Sequence, residues 1–135
     1  VKCLIDTNIL ISASLFPDSV PAAAFIKAVN HPHKAVVCDY SIDELRRVYN
    51  RKFPNKIAAL EHFLSVFLLT VDIVPTPPEE ESSEEETKIR DMNDRPILRA
   101  ALATKVDVLV TGDRDFLESG VKKPKIVTAA DFLRL

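Results

Sequence analysis

Short, β-rich apolar runs alternate along this chain with longer segments of helical periodicity, the pattern of repeated β-α units and therefore of a parallel sheet. Residues 2–5 predict a first strand, 34–38 a second, 71–74 a third, 107–110 a fourth and 125–127 a fifth. Helical patterns occupy 7–15 and 21–29, separated by a Pro17-Asp18-Ser19 break, then 41–52, 54–69 and 94–105. A short turn or helix near Phe116 and a last helix from Thr128 complete the chain. Ser41, with Glu44 three positions later, carries a capping-box signature for the start of its helix. Apolar residues of the 54–69 helix cover more than one face, which predicts a partner that buries part of them. The expected class is α/β with a parallel sheet, in one domain spanning residues 1–135.

Composition changes this picture little. The chain has 135 residues, of which 47% are hydrophobic and 28% charged, proportions that disfavour both disorder and a membrane protein. No apolar run reaches the ~18 residues of a membrane span, and the start of the chain leads straight into a strand, so a cytoplasmic protein is expected. Cys3 and Cys38 lie in apolar strand-like runs, where reduced, buried thiols are expected rather than a disulfide. The net charge is −2, but Glu79, Glu80, Glu81, Glu84, Glu85 and Glu86 crowd one segment and leave the remainder modestly basic, which permits a polyanionic ligand. That acidic segment, preceded by Pro77-Pro78, reads as a mobile surface loop.

The candidate chemistry is acidic. Apolar runs near both ends finish on carboxylates, Asp6 in Leu4-Ile5-Asp6-Thr7-Asn8 and Asp113 in Thr111-Gly112-Asp113-Arg114-Asp115. Strands of a parallel sheet finish on one shared edge, where such groups converge and ligands bind. Glu44 lies in the first turn of the helix after strand two, and Asp94 opens the helix before strand four, with Asp91 and Asp115 as close neighbours. In the simplest geometry Asp94's helix starts at the opposite sheet edge, so that its side chain must reach inward or the helix must lie obliquely. Glu44 fits a capping box equally well, and Asp94 and Asp113 fit helix or turn caps. Asp6, directly after Cys-Leu-Ile, is costly unless something pairs with it. Clustered carboxylates raise one another's proton affinity unless a cation intervenes, and an oxygen-only set without His or thiolate favours Mg²⁺ or Mn²⁺ over Zn²⁺. His31, His33 and His62 lack metal-ligand spacing, and two glycines, Gly112 and Gly120, make no phosphate loop.

These residues resemble the PIN-domain family of metal-dependent ribonucleases, and within it the small VapC-like toxins of toxin–antitoxin pairs. The resemblance rests on Leu4-Ile5-Asp6-Thr7-Asn8-Ile9-Leu10, Ser41-Ile42-Asp43-Glu44-Leu45, Asp91-Met92-Asn93-Asp94-Arg95-Pro96-Ile97-Leu98 and Leu109-Val110-Thr111-Gly112-Asp113-Arg114-Asp115-Phe116. It implies a three-layer α/β/α fold around a mainly parallel sheet of four to five strands. It further implies that Asp6, Glu44, Asp94 and Asp113 form the acidic quartet that holds Mg²⁺ or Mn²⁺, with the first turn of Asp94's helix facing the site, supported by Asn8, Thr111, Asp115 and Asp91. The implied activity is hydrolysis of single-stranded RNA, and the implied partners are a second copy of the chain and an antitoxin; no membrane is involved. Arg46, Arg47, Arg51 and Lys52, on Glu44's helix, and Arg95 and Arg114, near the acidic site, are the candidate RNA contacts, with a solvated helix face as the plain alternative for the first four. Two rival readings are a receiver-like Mg²⁺-binding signalling domain and a non-catalytic RNA- or partner-binding module. The first would need an Asp where strand three ends, and Ile73-Val74-Pro75-Thr76 has none.

Overall fold

A computed structural model describes all residues, 1–135. Five strands, β1 (Lys2–Ile5), β2 (Lys34–Cys38), β3 (Asp72–Val74), β4 (Val108–Val110) and β5 (Lys125–Val127), form one sheet in the order β3-β2-β1-β4-β5. Every pairing is parallel. The helices are α1 (Thr7–Leu15), α2 (Val20–Val29), α3 (Asp39–Lys52), α4 (Ile57–Phe67), α5 (Arg95–Thr104), α6 (Arg114–Leu117) and α7 (Ala129–Leu133).

Alternation of side chains across the strands divides the core in two. Cys3, Ile5, Ala35, Val37, Val108 and Val110 face the larger cluster, packed with residues of α1, α2, α3, α4 and α7. Leu4, Val36, Cys38 and Leu109 face the smaller one, closed by Ile97, Leu98 and Ala101 of α5, Phe116 of α6 and Ile89. Burial on both faces explains why the central strands read as continuous apolar runs. Both cysteines are free and buried, as expected, and burial pushes both thiols up in pKa, Cys3 to about 11. No single helix is long and apolar enough to cross a membrane.

Three local expectations are corrected. Helix α3 begins at Asp39 rather than Ser41, with Cys38 as a cap that makes no side-chain bond. Ser41 is buried, its Oγ 3.4 Å from Cys38 Sγ, so no Ser41–Glu44 capping box forms. The first turn is held instead by Asp39 Oδ1, which accepts from Tyr40 N at 2.8 Å, Thr76 N at 3.0 Å and Thr76 Oγ1 at 2.7 Å. Glu44 is thereby released from a capping role.

The acidic segment is not a featureless loop. It folds into two 3₁₀ turns, Glu79–Glu81 and Glu84–Lys88, and a capping box joins Ser83 and Glu86. Glu86 is buried, and the Arg99 guanidinium of α5 meets its carboxylate through Nε and Nη2 at 2.9–3.2 Å while Nη1 donates to the Pro77 carbonyl at 3.1 Å. Ile89 then enters the smaller core cluster completely buried. Arg99 supplies a partner that composition alone does not reveal: a planar fork suited to bidentate carboxylate binding.

The third correction concerns Asp94. Helix α5 runs antiparallel to the strands, as crossover helices of a parallel sheet do. Its far end lies at the sheet's amino edge, where Lys2 Nζ donates to the Thr104 carbonyl at 3.2 Å and Asp107 N to the Lys2 carbonyl at 2.8 Å. Lys105, at φ 58°, terminates it in the left-handed region. The start of α5 therefore belongs to the carboxyl edge, and no inward reach is needed.

Candidate metal centre

The two central strands deliver the first carboxylate and its support together. Ile5 of β1 pairs with Val110 of β4, so Asp6 and Thr111 leave the sheet side by side; Asp6 N still donates to the Val110 carbonyl at 3.0 Å. Asp6 is 4% exposed. Its Oδ1 accepts from Thr7 N at 2.7 Å, capping α1, and its Oδ2 from Thr111 Oγ1, also at 2.7 Å. Thr111 Oγ1 in turn accepts from Asp113 N at 3.0 Å, and Asp113 Oδ1 caps α6 by accepting from Asp115 N at 2.9 Å. Asn8 Oδ1 receives Gly112 N at 3.2 Å, tying the start of α1 to the same turn.

Asp94 arrives from the layer of the smaller core cluster, at the junction of a 3₁₀ turn, Met92–Asp94, with α5; Asp91 Oδ1 caps that turn through Asn93 N at 2.9 Å. Carboxylate oxygens of Asp91, Asp94 and Asp115 lie within 4.8 Å of one another. Glu44, in the second turn of α3, is near enough for its charge to act on Asp6.

Electrostatics records this crowding. Burial pushes the Asp6 carboxyl up to about 6; the bonds from Thr111 and Thr7 oppose the rise, and the charges of Glu44 and Asp113 add to it. Asp94 is likewise raised, first by burial, then by contact with the Asp113 carboxylate and by the charges of Asp113, Asp6 and Asp91. None of the salt bridges in the structure involves Asp6, Glu44, Asp94 or Asp113. Thr7 Oγ1, buried beside Asp6, finds no hydrogen-bond partner. Hard oxygen donors, mutually repelling and without an opposing side chain, fit a hard divalent cation.

Two neighbours escaped the sequence reading. Tyr40 donates its hydroxyl to the Asn93 carbonyl at 2.6 Å, joining α3 to the turn that carries Asp94. Burial raises its pKa, and so do Glu44, Asp94 and Asp91, while Arg47, whose guanidinium lies 5.9 Å from the ring centroid, lowers it. Its spacing of four from Glu44 on one helix face was the available signal. Arg90 is the other: Nη2 lies 2.8 Å and Nε 3.0 Å from Asp115 Oδ1.

The basic candidates divide. Arg114 is exposed immediately after Asp113, and Arg47 sits over Tyr40 beside the carboxylates. Arg46 is ion-paired with Glu61 of α4, and Arg95 Nε is bound to the Ile89 carbonyl at 2.9 Å. Arg51 and Lys52 occupy the last turn of α3, about 10 Å along the axis from Glu44.

A profile of the PIN domain matches residues 2–115. The chain belongs to the PIN-domain family. Among solved structures, this PIN domain is similar to PAE2754 from Pyrobaculum aerophilum, with 21% identity, a TM-score of 0.71, and coverage of 99% of this chain and 88% of that one. It is similar to VapBC2 from Rickettsia felis, solved bound to a DNA fragment of its promoter, with 16% identity, a TM-score of 0.66, and 95% and 98% coverage. It also resembles VapC20 of Mycobacterium tuberculosis, described as a toxin that cleaves the sarcin–ricin loop, with 17% identity, a TM-score of 0.59, and 87% and 95% coverage. No curated protein matches the chain. The likeness to these structures establishes the fold, a three-layer α/β/α arrangement whose sheet is parallel throughout and has five strands.

Proposed function

We propose that this PIN domain is a divalent-metal-dependent endoribonuclease that hydrolyses single-stranded RNA as the toxin of a toxin–antitoxin pair, acting in the cytoplasm. The observation that carries the reading is the meeting of Asp6, Asp94 and Asp113 at the carboxyl edge of the sheet with no cationic side chain opposing them. The toxin assignment draws on likeness in fold to VapBC2 and VapC20. An antitoxin partner and a homodimer belong to the same reading; exposed Val66, Leu68 and Leu69, at and just beyond the end of α4, are apolar surface that a second copy would bury.

In this reading Asp6, Asp94 and Asp113 hold Mg²⁺ or Mn²⁺, and Glu44 orients the attacking water or completes the metal's shell. The bound ion supplies an activated water and charge neutralisation at the phosphodiester. Thr111 fixes Asp6 through Oδ2 and Asp113 through its backbone N–H, so two ligands are positioned by one hydroxyl. Asn8 holds the Thr111–Asp113 turn against α1. Asp91 keeps Asp94's turn in place through the Asn93 N–H, and Tyr40 does so through the Asn93 carbonyl. Arg47 and Arg114 are the best-placed phosphate contacts, whereas Arg46 and Arg95 are already engaged and Arg51 and Lys52 stand at the remote end of α3.

The test is cleavage of a labelled single-stranded RNA by the purified chain. Activity is expected with Mn²⁺ or Mg²⁺, and its near-complete loss in excess chelator, in Asp6→Asn and in Asp113→Asn. Undiminished cleavage by both variants, or in chelator, would overturn the reading; absence of cleavage alongside tight RNA binding would favour a non-catalytic module.

A further inference from the structure

Arg90 is the one basic side chain that touches the carboxylate cluster. Its guanidinium donates through Nε and Nη2 to Asp115 Oδ1, and Nη2 lies 3.4 Å from Glu118 Oε2. The side chain is 71% exposed, and an exposed pair of this kind is weak by itself. Its backbone, however, is anchored on both sides. Ile89 is fully buried in the core and its carbonyl is bound by Arg95 Nε at 2.9 Å; Asp91 caps the next turn. Upstream, the Glu86–Arg99 pair pins the same segment to α5. Arg90 thus springs from a fixed point, and its guanidinium returns to Asp115 at high effective concentration.

The oxygens of Asp115, Asp91 and Asp94 are close enough together to be shared by one ion. With Arg90 in contact, Asp115 already faces a positive charge, and an incoming dication must displace the guanidinium or sit beside it. We propose that Arg90 is a built-in counter-cation that closes the outer cluster of Asp91, Asp94 and Asp115 to a second divalent ion, leaving the inner site around Asp6, Asp94 and Asp113 to bind one. The proposal rests on the metal reading of the inner site and fixes its stoichiometry.

Titration of the full chain with Mn²⁺ at low ionic strength, with free ion counted by electron paramagnetic resonance, tests it. One ion per chain is expected for the wild type and for Arg90→Lys. Arg90→Gln, an exposed substitution expected to leave the far-ultraviolet circular dichroism unchanged, should bind a second ion at least tenfold more tightly than the wild type does, and lose it again when Asp91→Asn is added. Two ions on the wild type, one on Arg90→Gln, or a second ion that survives Asp91→Asn would overturn the role of Arg90. No ion on any of these proteins would overturn the metal reading itself, and one ion lost in Asp6→Asn would uphold that reading whatever Arg90 does.

Discussion

Asp6→Asn is expected to stabilise the metal-free protein while destroying its response to metal. The Asp6 carboxyl lies at about 6 in the fold against an ordinary 3.8, chiefly because it is buried. The native state thus binds this proton more tightly than the unfolded chain, so stability is greatest below 3.8, declines as pH rises, and is fully reduced above about 6. At neutral pH the difference corresponds to about 3 kcal/mol. Asn carries no charge, and its Oδ1 still accepts from Thr7 N. Its Nδ2, however, now faces Thr111 Oγ1, which already accepts from Asp113 N, and the Thr111 hydroxyl proton loses its acceptor. That costs about 1 kcal/mol. A net gain of roughly 1–2 kcal/mol remains near neutrality, or a Tm rise of roughly 3–8 °C for a domain of this size. Thermal melts in chelator at about pH 7.5 and about pH 4 would measure it, with the advantage present at the first and absent at the second. Added Mn²⁺ should raise the wild-type Tm and leave the variant's unchanged. A variant less stable than the wild type in chelator at neutral pH, or a difference that does not change with pH, would refute the account of Asp6 as a charge held buried for a cation.

Two further outcomes are expected. Arg99→Met should destabilise the protein by about 3–5 kcal/mol in chemical denaturation, because it leaves Glu86 buried without its partner. Tyr40→Phe should weaken Mn²⁺ binding by about tenfold in calorimetry with a stability loss of about 1 kcal/mol or less, since the lost bond holds the turn bearing Asp94 rather than the core.

Much of the architecture was legible because this sheet is buried on both faces. The run Lys-Ala-Val-Val-Cys at β2 and the periodic stretch at α1 coincide with their elements residue for residue. Convergence of Asp6 and Asp113 followed from strand ends alone. Asp94 did not follow from element order as read, which put its helix at the wrong edge; the family resemblance turned its first turn to the site, and a helix crossing back between parallel strands must indeed begin where the preceding strand finished. Ser41 and Glu44 matched a capping pattern whose spacing is satisfied by many helices, and burial of Ser41 against Cys38 decided otherwise. Glu86 was hidden among five other glutamates: nothing local distinguishes the one that meets Arg99, thirteen positions away, from those left in water. Arg90 was invisible for the same reason, since its partner Asp115 lies twenty-five positions on.

Thr111 and Asp6 are separated by 105 positions, and their hydrogen bond joins the first strand of the chain to the fourth. During synthesis Asp6 emerges early, but β4 must be translated and inserted beside β1 before that carboxylate has its hydroxyl donor or its neighbour Asp113. A polypeptide halted before this point carries Asp6, Glu44, Asp91 and Asp94 but lacks Thr111 and Asp113, which bind and face them. The inner cluster therefore closes late and in one step, when β4 seats against β1.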